Sequence, residues 1–78
     1  MQRGNAGAAL PLLEAAVAAL RDTSSITEAY ASYNLALARF TLGRCDGLSA
    51  LLDRSEEIQG HRTEIDRLRA DIQERCRE

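Results

Sequence analysis

Two cysteines and one histidine are the residues of this chain best suited to chemistry, and their spacing decides which chemistry. Cys45 and Cys76 lie on either side of Gly60-His61. If that dipeptide turns an antiparallel helical hairpin, residues whose numbers sum to about 121 face each other, as Cys45 and Cys76 do. They then meet at the open end of the hairpin, where a disulfide closes a loop of about 30 residues and stabilises the fold by ~3–4 kcal/mol on the chain-entropy model. The alternative is a pair of reduced thiols, one in a turn and one on a fraying terminus. A bonded pair implies an oxidising compartment, as for an extracytoplasmic domain of a membrane-tethered bacterial protein, whereas free thiols imply a cytoplasmic one. His61 sits at the opposite end of the hairpin, ~20 Å away along the helices. No single metal ion bridges that gap, and no Cys-His catalytic pair closes across it. His61 therefore reads as a solvent-exposed residue at the start of a helix.

Other catalytic or cofactor chemistry is poorly supplied, and the chain is not expected to be an enzyme. There is no strand for a glycine-rich phosphate loop to follow, so no cofactor is expected. Glu56 and Glu57 are adjacent and point to different parts of a helix surface, where they serve solvation. The net charge is -2, which argues against a nucleic-acid or anionic-membrane surface. The last segment carries arginines at 62, 67, 69, 75 and 77, but Glu64, Asp66, Asp71, Glu74 and Glu78 balance them. Interleaved charge of this kind is a soluble face, not a phosphate track. No apolar run approaches the ~20 residues of a membrane span, and the N-terminus has no signal-peptide pattern.

The elements that position these residues are helices, because Ala, Leu, Arg and Glu dominate while β-branched residues are few. The expected fold is all-α, with about four antiparallel helices of which the first three make the core. A first helix over 7–21 carries Leu10, Leu13, Val17 and Leu20 on one face. Asn5 is its candidate cap, and Pro11 predicts a later start near Leu10 or a slight bend. Ser25-Ile26-Thr27-Glu28 has the form of a capping box and opens a second helix. Its stripe is Ile26, Ala29, Tyr30, Tyr33, Leu37 and Phe40, and Gly43 is a left-handed stop. Asp46 is the expected cap of a third helix that buries Leu48, Leu51, Leu52 and Ile58 and stops at Gly60. A fourth, over 62–77, has only the thin seam Ile65, Leu68 and Ile72, with Arg67–Asp71 and Asp71–Arg75 spaced to pair.

The chain also repeats itself: Gly4 aligns with Gly43, and Leu12-Leu13-Glu14-Ala15-Ala16 with Leu51-Leu52-Asp53-Arg54-Ser55, at a separation of 39. The first helix is thus the counterpart of the third. Over 28–72 the chain resembles the tetratricopeptide-repeat family, whose helix–turn–helix units stack into a solenoid. Ala36 stands where two helices of a unit cross. Leu35, Gly43, Leu48 and Leu52 fall where the family places its packing Leu, its turn Gly, a small residue and an aromatic one. Ser32, Arg39, Ser55 and Gly60 depart from the pattern, and 39 exceeds the usual 34; the alternative is a hairpin array that shares only the packing logic.

The resemblance implies a piece of a bacterial solenoid: the second half of one repeat, one complete repeat over 25–59, and a capping helix. It implies a protein–protein interaction module whose concave face, with Asn34, Leu37, Arg39 and Thr41, docks a peptide or protein partner. The competing readings are a purely structural cap or a regulatory domain of a larger protein. The bare edge of the first helix also predicts a homodimer, since exposed apolar surface tends to find a partner. Intact mass with and without reductant tests the cysteine pairing. A bonded pair gains two hydrogens on reduction and resists alkylation beforehand, whereas two readily alkylated thiols would remove the pairing.

Overall fold

Helix-favouring composition delivers four helices in the computed structural model, which describes residues 3–76: α1 (Arg3–Leu20), α2 (Ile26–Thr41), α3 (Leu48–Gln59) and α4 (Thr63–Arg75). Among the described residues there is no strand. Met1, Gln2, Arg77 and Glu78 lie outside them, and with them the expected end of the last helix. Side-chain partners run in opposite directions along neighbouring helices. Glu28 meets Arg54 while Arg39 reaches Asp46, and Arg69 meets Asp53 while Cys45 joins Cys76. The helices are therefore antiparallel.

The ends show which local signals governed. α1 starts at Arg3, so Asn5 lies inside it and does not cap it, and Pro11 is carried in the helix interior. Proline removes the bond to the carbonyl of Gly7, but Gly7 and Pro11 are both exposed, so water can take the freed group. Ser25 caps α2 as expected, its Oγ accepting from the Glu28 N–H at 3.1 Å. Glu28 returns the bond to the N–H of Ser24 (2.9 Å), one residue earlier than the standard box. α2 ends in a Schellman motif: Gly43 has φ +81°, its N–H donates to Phe40 O, and that of Arg44 to Arg39 O at 2.8 Å.

Asp46 does not cap α3. Its carboxylate lies 3.6 Å from Arg44, and Gly47 takes the cap position at φ +73°. A Cβ at Gly47 would lie 3.1 Å from Arg39 Nη1, so glycine answers both the backbone angle and the close approach of that arginine. Neither Arg67–Asp71 nor Asp71–Arg75 closes among the described residues; Arg62 pairs with Glu64, and Arg69 reaches across to Asp53 and Glu56 of α3.

Packing turns on α2, which is wedged between α1 and α3. Small side chains line its buried flanks: Ala29, Ala31, Ser32, Ala36 and Ala38, with Leu35 and Glu28 the two large members. The expected stripe is thus displaced. Ala29 is buried, but Ile26 is 60% and Tyr30 47% exposed, while Tyr33, Leu37 and Phe40 are only half-buried. Aromatic rings are too bulky for the close crossings that Ala permits, and they sit at the rim. The main cluster joins Ala36, Leu48, Leu52, Ile65 and Leu68, with Tyr33, Leu37, Phe40, Leu51 and Ile72 packed around it.

The core therefore spans α2, α3 and α4, not the first three helices. α1 brings no large side chain to it, because Leu13, Val17 and Leu20 stay half-buried. The thin seam of α4 reaches the core as its spacing predicts. Leu52 is fully buried whereas Leu12, the counterpart of Leu51 at the separation of 39, is 73% exposed. Leu52→Ala should therefore cost about 2–5 kcal/mol in urea unfolding, against less than about 0.5 kcal/mol for Leu12→Ala. Similar costs at the two positions would mean that the core has been misplaced.

Candidate functional site

One face of α2 remains uncovered between its two flanks. Spacings of three and four put Ile26, Tyr30, Asn34, Leu37 and Thr41 on it. Three of the four residues expected to dock a partner lie here, each half-buried. Leu37 leans on the core cluster, and the Thr41 hydroxyl donates to the Leu37 carbonyl at 2.8 Å. No charged residue interrupts this face. Its rim is α4, where Arg62 lies over the rings of Tyr30 (5.4 Å) and Tyr33 (5.8 Å), and Arg75 over Phe40 (5.6 Å). Cation–π contacts of this sort fix the rings in place at the edge of the face.

Arg39 does not join them. Its Nη2 lies 3.3 Å from Glu14 of α1, and Nη1 approaches the Asp46 carbonyl at 3.5 Å. Its Nε is buried without a partner. Arg39 thus ties α1, α2 and the following turn together on the far side of the helix. The reason is angular: 39 is five residues after 34, which rotates it well over a third of a turn away.

The cysteines meet as their numbering predicts. Cys45, in the turn before α3, is bonded to Cys76 at the end of α4, with Cα atoms 5.8 Å apart. His61 is exposed at the opposite end of the hairpin, beside Asp66. Among the described residues no group of three His, Cys, Asp or Glu could hold a metal ion. None of the described helices is long and apolar enough to cross a membrane.

A second polar assembly escaped sequence reasoning. Glu28, 2% exposed, receives Arg54 from α3 through both oxygens, Nε to Oε2 at 2.7 Å and Nη2 to Oε1 at 3.1 Å. Arg54 also pairs with Glu57 and donates to Ser24 Oγ at 3.3 Å. Below it the Ser55 hydroxyl, fully buried, donates to the Ala29 carbonyl at 3.0 Å. The Arg54 fork, then the Ser24 N–H, hold the Glu28 carboxyl at a pKa of about 2 against the opposing effect of burial, and the same bond raises that of Arg54. The assembly floors a crevice of about 430 Å³ between α1 and α3, with Val17, Ala50 and Leu51 as its apolar walls. Every strong acceptor position of Glu28 is occupied from within the protein, so it acts as a clasp.

Comparison with protein-family models, with curated proteins and with solved structures finds no match to this chain. The site rests on its own geometry. The clasp makes a pH prediction. A carboxyl with an ordinary pKa of 4.5 that titrates near 2 in the folded state favours folding above pH 4.5, and that contribution fades as pH falls from 4.5 to 2. Glu28→Gln should therefore be less stable at pH 7 and lose stability less steeply across this window. Urea midpoints for both proteins at pH 7, 4.5 and 3 check this; parallel curves would rule out the assigned role of Glu28.

Proposed function

We propose that this domain is a protein-interaction module of the tetratricopeptide-repeat type, the terminal part of a helical solenoid that docks an extended peptide or a partner protein on the open face of α2. The observation that carries this reading is that face itself: Ile26, Tyr30, Asn34, Leu37 and Thr41 in a row, without charge, with Ile26 and Tyr30 exposed. Soluble domains seldom leave ordered aromatic and aliphatic side chains together on a surface unless something covers them. Asn34 offers an amide donor and acceptor in the middle of the row, suited to a peptide backbone. The antiparallel helices and the buried Ala36 packed against Leu48 and Leu52 of α3 are consistent with the repeat's packing. The mechanism is passive, since rigid helices hold the surface ready and the partner gives up the conformational freedom.

The Cys45–Cys76 bond supports an oxidising, extracytoplasmic setting. A second reading, a structural unit that stacks on a neighbouring helix or a second copy, has its own support in α1. The outer positions Ala8, Pro11, Leu12, Ala15, Ala18 and Ala19 are exposed and uncharged.

Selection of peptides from a displayed library against the disulfide-bonded domain separates the two. On the docking reading, Tyr30→Ala and Asn34→Ala each weaken the selected peptides by roughly tenfold, the equivalent of about 1.4 kcal/mol, and Leu12→Ser changes nothing. Binding that survives both α2 substitutions would exclude the α2 face. Sedimentation that shows concentration-dependent dimers lost in Leu12→Ser would favour the stacking unit.

A further inference from the structure

We infer that the Cys45–Cys76 bond is a redox latch: its reduction releases the last turns of α4 and bares the end of the α2 face while the body of the domain stays folded. That this release regulates docking rests on the reading of α2 given above; the release itself does not.

The attachment of α4 is uneven along its length. At its start, Arg62 donates to Gln59 at 2.7 Å and covers Tyr30 and Tyr33. Ile65 and Leu68 are buried in the core cluster. Arg69 then bridges to Asp53 at 2.8 Å and Glu56 at 2.6 Å of α3. Beyond Arg69 the character changes. Ala70, Asp71, Gln73, Glu74 and Arg75 are exposed, and no ion pair holds residues 70–76 among the described residues. Among the described residues only the half-buried Ile72 and Cys76 at the edge of the core cluster, the Arg75–Phe40 contact and the disulfide remain. A helical end of so few residues does not persist on its own propensity, since isolated helices below about 12 residues are marginal in water. The covalent bond is what holds this end to the turn after α2.

The released end lies over the docking face. A depression of about 240 Å³ between the two is lined by Phe40, Thr41, Gly43, Cys45, Arg75 and Cys76. Thr41 belongs both to this depression and to the open row on α2. Withdrawal of 70–76 uncovers Phe40 and extends the apolar face past Leu37 by about one helical turn. Cys45 is exposed and offers its sulfur to an incoming thiolate, while Cys76 is half-buried. A dithiol reductant attacks Cys45 Sγ, forming a mixed disulfide and expelling the Cys76 thiolate, which takes up a proton. The second thiol of the reductant then attacks the mixed disulfide and frees Cys45 as a thiol. Two electrons pass to the pair, and the reductant leaves as its own disulfide.

Hydrogen exchange on the intact protein, followed by mass spectrometry with and without a dithiol such as dithiothreitol, tests the latch. The expected result is a loss of protection of tenfold or more at residues 72–76, with α2 and α3 amides unchanged. The double variant Cys45→Ala/Cys76→Ala, without reductant, should give the same pattern. Protection lost throughout the chain would mean that the bond is a global staple, and unchanged protection at 72–76 would mean that packing alone holds the end; either overturns the latch. Peptides that bind only one redox form, through Phe40 and Thr41, would add the regulatory step. Equal binding to both forms with 72–76 released would sink the regulation and leave the docking reading intact, and a measured release with no peptide selected would sink the docking reading alone.

Discussion

The whole arrangement depends on how closely α1 and α3 can approach α2, and that distance is set by methyl groups. Ala29, Ala31, Ser32, Ala36 and Ala38 carry almost nothing beyond Cβ, so backbones come together until dispersion contacts are dense along the length of the helix. Such contacts are individually weak and need company. Leu35 on one side, and Leu48 and Leu52 on the other, supply the apolar area, each worth roughly 1.5–3 kcal/mol when removed from water. Because the close faces are spent on small residues, the large ones of α2 are driven to the rim. The open face of Ile26, Tyr30, Asn34, Leu37 and Thr41 is the remainder of that partition.

Close packing leaves polar groups with nowhere to go unless partners are built in. Glu28 and Ser55 meet this requirement in adjacent layers, one through the fork of Arg54 and the other through a backbone carbonyl. The same carboxylate also fastens the α1–α2 connector, where Asp22 (φ +66°) and Ser24 (φ +56°) hold left-handed angles that side chains seldom adopt. The clasp therefore links three elements: the connector, the first turn of α2, and the middle of α3. Arg39 does a similar service at the other end of α2, between Glu14 and the turn at Asp46. A helix lined by alanine is held in register by an arginine contact at each end.

Much of this was legible in the sequence. Ser25, Gly43 and Gly60 marked helix ends because capping chemistry is local, and the seam of α4 was visible in three residues. The cysteine pairing followed from the position of one turn. What was not legible depended on which of two apolar patterns along α2 would be buried. Periodicity favoured the larger residues, Tyr30 and Phe40, whereas packing favoured the smaller ones. Asp46 looked like a cap because residue type alone cannot reveal that Arg39 needs room beside Gly47. The place of Arg39 in a repeat pattern says nothing of its pairing with Glu14. Glu28 has the spacing of a capping box, and its second role depends on the register of α3.

A helix locked on two flanks by side chains that cannot grow has very unequal freedom across its positions. An added methylene at Ala36 or Ala38 would push apart two packed layers, while a change at the exposed Tyr30 meets water and the α4 rim. Variation accepted by this helix is thus channelled to one side. The residues that pack the flanks and most of those on the open face are different members of the same short segment, so the face can vary while the crossings stay as they are.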